Sequence, residues 1–388
     1  MEDNYVVYHL HSDMSLLDSC TKYQDYIARA VELGQKAICF TEHGNIFNWV
    51  SKKNDCEKAG LKYLHGCEVY LTQQLEPKVR DNYHTILIAK NFAGVLEINN
   101  LISRSNEPSH FYFKPRISFD EFFNISDNVI KISACLASPL ARLEDPELLE
   151  KLIKKYDYLE IQPHIRSEEQ KQYNKRLYEY SKRYQKPLIA GTDTHSLNEY
   201  KAQCRAILQL AKKIPYGLED EFDLTYKSYD ELVDMFEKQG CLHKNVYLEA
   251  IDNTNKMADS VETFELDTSF KYPKVYDDDI AELKNRLNKN LNQMIKDGVI
   301  PQEQRGKFID NLREEVRVFE KINMCGFMLF MSDLIKWCHD NDIPTGVARG
   351  SCGGSCVAYV LGIIDINPVQ WHTVFSRFAN EDRKEIGD

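Results

Sequence analysis

No apolar run in the chain approaches the roughly 20 residues that a membrane-spanning helix needs. There is no internal repeat and no low-complexity tract, which excludes a solenoid or a compositionally disordered chain. Positive charge is in short supply: 49 Lys and Arg against 60 Asp and Glu leave a net charge of −11. Phosphate-dominated nucleic-acid binding usually shows as a basic surface, so these residues on their own are not expected to hold DNA tightly. Local basic runs, such as the one at 171–186, read as solvated helix faces. The 11 cysteines are odd in number and scattered, with neither zinc-knuckle nor disulfide-framework spacing. Cys135 aside, they read as buried thiols of a reducing compartment. The opening MEDNYVVYHL is acidic and enters a strand at once, unlike a signal peptide. A cytoplasmic protein without a membrane partner is expected.

What the first half does contain is a recurring pairing of short apolar runs with polar residues at their ends. Strand-like runs are predicted at 5–11, 36–43, 62–72, 84–91, 129–135, 157–163 and 187–195, with helices between most of them. The helix after the first run stops at Gly34, and the one after the second covers 45–59. Seven strands alternating with helices imply parallel strands and an α/β barrel rather than a sandwich. A mostly helical, acidic stretch follows from about 200 to 270, then a linker around 264–279 and charged amphipathic helices over 279–323.

The polar residues at the strand ends are His9 and His11, Asp18, His43, Glu68, His84, Cys135, and Asp193 with His195. In H-x-H and D-x-H both side chains share a face, because a strand alternates with period two. Successive strands delivering such residues at one end build a single pocket at one barrel face. Imidazoles with carboxylates suit zinc, manganese or iron, and a thiolate favours zinc or iron over magnesium. Nine ligands suffice for two or three divalent ions with positions left open for water and substrate. The chemistry expected is metal-assisted phosphoester hydrolysis, with His9, His11, Asp193 and His195 as candidate catalytic residues. Glu42, next to His43, falls on the opposite face by alternation. His164 is placed either at the pocket mouth or on the surface.

Near the C-terminus, ARGSCGGS at 348–355 precedes the apolar CVAYVLGI. Glycines let a backbone turn tightly with its N–H groups around a phosphate, and the following helix would aim its dipole at the anion. Arg349, Gly350, Ser351, Gly354 and Ser355 are the candidate phosphate contacts. No G-K-[ST] follows, so this is not a Walker loop.

HLHSDMSLLD, TEHGN, GCEVYL, HTILIAKN, SACLAS and GTDTH resemble the successive motifs of the polymerase-and-histidinol-phosphatase (PHP) domain. The version they are most similar to opens the bacterial replicative DNA polymerases of the polymerase III α-subunit family. All nine ligand positions of that family carry a metal-competent residue here. The sequence departs in TEHGN, where Asp usually precedes the His. R-G-S-x-x-G-S with the following VAY-x-LGI and F-x-RF-x-N is similar to the start of that family's palm domain. There the loop meets the incoming triphosphate, and Arg377 matches a second basic residue near the nucleotide. Ala348-Arg349 stands where Gly-Arg is usual, and Cys352-Gly353 where two small residues are usual.

The resemblance implies a PHP-type distorted (βα)7 barrel within 1–270, its core at about 1–200 and a helical extension at 200–270. A partial α+β palm region would occupy 271–388, ending at Asp388 before the aspartates that hold magnesium in a complete polymerase. It further implies a fragment of a larger DNA polymerase, with 3′-5′ exonuclease action of the PHP domain on DNA ends. DNA primer-template and dNTP would be partners of the full-length protein, and the sliding clamp and other replisome subunits would engage regions outside this chain. The alternatives are a metal-binding scaffold that docks a proofreading subunit, and a free histidinol-phosphatase-like phosphoesterase.

Overall fold

Seven extended segments close into a ring in the first of the chain's two units, Met1–Leu266; the second is Asp267–Asp388. The computed structural model describes residues 4–211, 222–269 and 274–382. The ring begins with residues 5–11, whose Val7 bridges Ile38 of β1 (Ala37–Phe40) in parallel. β1 runs parallel to β2 (Lys62–Thr72), β2 antiparallel to β3 (Tyr83–Ala89), and β3 antiparallel to a strand we number β5 (Val129–Ile132). β4 (Arg116–Ser118) pairs with β2 outside this path. Ile132 then bridges Tyr158 beside β6 (Leu159–Ile161), β6 runs parallel to β7 (Leu188–Ala190), and Leu10 bridges Thr194 to complete the circuit. These are the seven runs expected, in a distorted α/β barrel.

Two expectations need correcting. The strands are not all parallel, because β3 runs against both neighbours. Only residues 73–82 join β2 to β3, with no helix among them, and a chain that short returns antiparallel rather than crossing over. The first segment is also not a regular strand. Leu10 N–H is taken by Thr41 Oγ1 at 3.0 Å instead of a backbone carbonyl, and the chain bends at His9. The bend resets the alternation. Val6 and Tyr8 face one buried layer and Val7 the other, and Leu10 rejoins the layer of Val7.

Helices α1 (Tyr23–Glu32), α2 (Trp49–Lys58) and α3 (Phe92–Ser105) pack on β1, β2 and β3 respectively. Gly34 follows α1 with φ +65°, the left-handed stop that glycine adopts without steric cost. The helix expected from 45 starts only at Trp49. Asn45 turns its amide onto the carbonyls of Met14 and His43 and accepts from Phe47 N–H, an alternative to the first helical bonds. Further along come α4 (Phe119–Phe123), α5 (Pro139–Arg142), α6 (Pro146–Lys155), α7 (Glu168–Tyr184), α8 (Glu199–Ala211), α9 (Tyr229–Gln239) and α10 (Lys244–Ser260). Met257 and Ala258 of α10 join Val6, Tyr8, Cys39, Leu64, Ile86, Ile88, Ile130, Ile132 and Ile189 in one layer. The alternate strand residues, among them Val7, Ile38, Leu87, Val129, Leu159 and Leu188, pack under the helices.

Among its described residues the second unit contributes the helical part of the α+β region expected, and no strand. Leu283, Leu287 and Leu291 of α11 (Asp279–Lys296) meet Phe308, Leu312 and Phe319 of α12 (Arg305–Lys321). Met328 and Leu329 of α13 (Cys325–Asp340) and Val357 of α14 (Cys356–Val360) complete that core. Asp388 lies outside the described residues. No helix of the described residues is long and apolar enough to cross a membrane.

Candidate metal centre

The reversal of β3 explains how a residue at the start of one strand meets residues at the ends of others. His84 pairs with Tyr70 near the C-terminal end of β2, two residues beyond Glu68. On the opposite side, Leu10 and Thr194 form the bridging pair, so His9, His11, Asp193 and His195 project together from the other face of their segments. Asp193 (φ 45°) and Ala134 (φ 60°) are left-handed, a conformation that non-glycine residues rarely hold. Ala134 directly precedes Cys135 and turns it out of strict alternation.

The nine residues singled out from the sequence meet at this mouth. His9 Nε2 lies 3.0 Å from Asp193 Oδ1 and 3.4 Å from Glu68 Oε1. His11 Nε2 lies 3.5 Å from Asp193 Oδ1 and 3.7 Å from Glu68 Oε2. Glu68 is the hub: His43 Nδ1 stands 2.6 Å from its Oε2 and His84 Nδ1 2.9 Å from its Oε1. Cys135 Sγ is 3.8 Å from the same His84 nitrogen. Asp18 Oδ2 is 3.0 Å from His43 Nε2 and 3.3 Å from His195 Nε2. Three overlapping triplets have donor atoms mutually within 4.8 Å: His9, His11 and Asp193; His11, His43 and His195; His43, Glu68 and His84. His9, His11 and Glu68 form a buried floor, while the others line an open cleft of about 800 Å³.

Neighbouring groups orient three of the five rings. Ser15 has one hydroxyl hydrogen, directed to Glu42 Oε2 at 2.6 Å. Ser15 Oγ therefore accepts from His11 Nδ1 at 3.0 Å, leaving the His11 Nε2 lone pair toward the mouth. His9 Nδ1 donates to Glu160 Oε1 at 2.8 Å, and His195 Nδ1 to the Asp193 carbonyl at 2.9 Å. Such partners orient metal-binding imidazoles and raise their basicity. Glu42 itself is buried and paired with Lys52 Nζ at 2.6 Å. Burial would raise its carboxyl, but Lys52 and the serine donors hold it below its ordinary range.

The charges are strongly coupled. Burial opposes protonation of His9, yet the carboxylates of Asp193 and Glu160 hold its pKa well above the usual value. His43 is likewise disfavoured by burial but carried up to about 10 by Glu68 and Asp18. His11, buried and facing His43 and His195, is pushed down to about 3. Burial, then Asp193 and Glu68, drive the Cys135 thiol well above its ordinary range, so a thiolate there requires a cation. Four buried atoms, His9 Nε2, His11 Nε2, His43 Nδ1 and Glu68 Oε2, make no hydrogen bond of normal geometry, and their polar contacts, at 2.6–3.7 Å, are with the cluster's own groups. Buried polar atoms are rarely left so. Soft and hard donors that converge on shared points fit divalent metal ions.

Several contributing residues escaped the sequence reading. Glu160 sits inside a buried strand and holds His9; an acidic residue within the apolar run YLEI was the available signal. Arg205 of α8 donates to both the carbonyl and Oδ1 of Asp18, at 2.6 and 2.8 Å, from 187 residues away. No local pattern predicts that pairing. His164 is buried, stacked on Phe222 at 4.3 Å, not on the surface. Burial brings its pKa down to about 4.

In the second unit, Gly350–Gly354 form a 3-10 turn before α14, with Arg349 and Ser351 exposed. The adjoining turn Phe375–Arg377 packs against it, and a Cβ on Gly354 would stand 2.5 Å from the Val374 carbonyl oxygen. Ser355 does not face outward as expected. It is buried and donates to Glu315 Oε2 at 2.7 Å, while Cys356 and Val357 N–H donate to the same carboxylate at 2.8 and 2.9 Å. The Glu315 carboxyl thus accepts the donors at the start of α14, a helix of only five residues. Burial outweighs these donors and lifts the Glu315 carboxyl to about 7.

Residues 8–164 match the family described as PHP domain, and residues 281–388 match the Bacterial DNA polymerase III alpha NTPase domain. Over 99% of its length the chain is 33% identical to DNA polymerase III subunit alpha of Borreliella burgdorferi, covering 34% of that protein. The α subunit of Aquifex aeolicus is 31% identical over the whole chain, with 36% of that protein covered. The Helicobacter pylori (strain J99) α subunit is 28% identical over 98% of the chain, with 34% covered. The chain spans about a third of the length of the curated relatives it matches.

Proposed function

From the premise that this chain belongs to the family of bacterial DNA polymerase III α subunits, with a PHP domain followed by part of the NTPase domain, we propose that its first unit is a metal-dependent 3′-5′ exonuclease acting on DNA ends. The observation that carries this reading is the convergence of buried imidazole and carboxylate atoms in three overlapping triplets, four of them without a hydrogen bond of normal geometry. His9, His11, Asp18, His43, Glu68, His84, Cys135, Asp193 and His195 would hold two or three ions of zinc, manganese or iron. When bound, such ions supply Lewis acidity toward a phosphate oxygen and a water of lowered pKa.

The chain's own residues do the rest. Glu160 and Ser15 fix the rings of His9 and His11 with Nε2 toward the mouth. Asp193 and His195 face the open side of the cleft, where they are placed to meet a substrate phosphate or the attacking water. Arg205 neutralises Asp18 and keeps it beside His43 and His195. Arg349, Gly350, Ser351 and Arg377 would contact a nucleotide phosphate in the second unit, with Gly354 shaping the turn and Ser355 securing it to Glu315. Polymerisation on a primer-template from dNTP with magnesium, and contacts to the clamp and other replisome subunits, would belong to the whole polymerase.

The test is degradation of 3′-labelled DNA by manganese-loaded protein. His11→Ala and Asp193→Ala should lower the rate by orders of magnitude while circular dichroism stays unchanged. Wild-type protein that loads metal but leaves every 3′-ended DNA intact would favour a metal-stabilised docking scaffold instead.

A further inference from the structure

The cleft above the metal centre is bordered by residues that a small phosphate ester would not need. Phe113 lines it with 70% of its surface exposed, and Phe47 with 51%. Two cations, Lys114 and Arg142, line it as well. An exposed phenylalanine is ordinarily unremarked, but Phe113 also holds a left-handed backbone, φ 59°. For a bulky residue that conformation is costly and persists only where the surroundings impose it.

The surroundings do impose it. Tyr112 N–H donates to the Lys114 carbonyl at 3.1 Å across Phe113, closing a tight turn. The buried Arg116 ties the loop to the carbonyls of His110 and Val79 at 3.1 and 2.7 Å. Pro115 packs on Gly44, where any Cβ would stand 2.6 Å from the Pro115 Cγ, so the loop is fastened to the residue after His43. The Arg80 guanidinium lies 5.0 Å from the Phe113 ring centre, and Lys114 Nζ lies 4.9 Å from the ring centre of Tyr70, itself beside His43 and His84. The ring is thus presented on a rigid, cation-flanked platform beside the metal ligands.

We propose that Phe113, with Phe47, is a stacking platform for the terminal bases of a single-stranded 3′ end, and that Lys114 and Arg142 meet its phosphates. Aromatic faces accept any base, and the strand's backbone needs cations, which is the chemistry of sequence-tolerant single-strand binding. The inference rests on the exonuclease reading and names what selects a nucleic-acid end over a small phosphate ester.

The experiment measures binding rather than cutting. A short fluorescein-labelled thymidylate strand with phosphorothioate linkages at its 3′ end is titrated with zinc-loaded protein, followed by anisotropy. Phe113→Ala should weaken binding about tenfold, the scale of one lost base stack, and Phe113→Trp should restore it. A strand with abasic 3′ positions should bind wild type as poorly as Phe113→Ala binds the intact strand. Phe113→Gly should lose binding as well, yet raise the melting temperature, because glycine relieves the left-handed strain; a merely structural residue would not part the two readouts. Equal affinity of wild type and Phe113→Ala, or loss of bound zinc in Phe113→Ala, would overturn the proposal. Failure of wild-type protein to degrade an ordinary strand would refute the exonuclease reading separately, since the binding comparison does not depend on turnover.

Discussion

Replacing Glu160 by Gln isolates one charge from one shape. Glu160 Oε1 accepts from His9 Nδ1 at 2.8 Å and from Gln162 Nε2 at 2.6 Å, and its Oε2 accepts from Tyr8 Oη at 2.8 Å. A glutamine can place its amide oxygen where Oε1 was and keep both of those bonds. Its NH2 then faces the Tyr8 hydroxyl, which can rotate and accept. Packing and hydrogen-bond number survive, and only the negative charge behind His9 disappears. That charge makes His9 Nε2 a stronger donor toward the cluster. Loss of such an outer partner typically costs 10–100-fold in metal affinity, or about 1.4–2.8 kcal/mol. The assay is competition for zinc against a fluorescent chelator. Wild type and Glu160→Gln should be alike in circular dichroism and differ in the chelator activity at which the metal is surrendered. Identical zinc affinity in the two proteins would refute the placement of Glu160 as the group that tunes His9.

Gly191→Ala should disturb the same carboxylate by volume: its Cβ would stand 2.3 Å from Glu160 Cδ and 2.6 Å from Oε1. Because that carboxylate is fixed by three donors, the variant should lose zinc affinity and also about 1–3 kcal/mol of stability, the usual range for overpacking. Adding Glu160→Ala should remove the clash, so that the double variant loses less stability than the sum of the two single variants while affinity stays low, read by thermal melts with and without chelator. In the second unit, Glu315 has a carboxyl lifted from its ordinary 4.5 to about 7. The folded state therefore keeps a proton that the unfolded chain has released, and stability falls as pH rises through that window, by about 3 kcal/mol in all. Urea titrations of a Trp49→Phe protein, in which Trp337 and Trp371 report on this unit, should show the decline in wild type and a flat profile in Glu315→Gln. Stability that rises over the same range would show that the donors on Glu315, not its burial, decide its charge.

The residues that converge at the barrel mouth were legible because their types are rare inside apolar runs and recur at the run ends. His9 with His11, and Asp193 with His195, needed nothing more. The topology was less legible. Hydropathy marks where strands are but not which way they run, so the reversal of β3 was invisible. It rests on residues 73–82 containing no helix, a negative feature that composition does not announce. The supporting shell was least legible of all. Arg205 reaches Asp18 across 187 residues, and Ser15 acts through a hydroxyl whose direction is set by Glu42. Ser355 misled for a related reason. Gly-Ser before a helix signals an acceptor at the helix start, and the acceptor that Ser355 and the first N–H groups meet is the chain's own Glu315 carboxyl.

That contrast bears on how the two anion-handling regions differ in kind. At the barrel mouth three carboxylates and five imidazoles crowd one another, and four of their buried atoms make no hydrogen bond of normal geometry. A protein that only needed a stable core would replace such a cluster with apolar side chains, since buried charge is seldom stabilising by itself. The strained backbone at Asp193 and Ala134, both flanking or supplying the cluster, adds to that cost. In the turn before α14, by contrast, every inward donor named has an internal partner in Glu315, and what faces outward is Arg349, Ser351 and Arg377. The first region leaves buried polar atoms without a well-formed hydrogen bond, whereas in the second the named inward donors are met by Glu315. The barrel mouth is therefore the place where removal of bound ions should be felt in stability, whereas a phosphate at the turn would have only the outward side chains and exposed backbone to bind it.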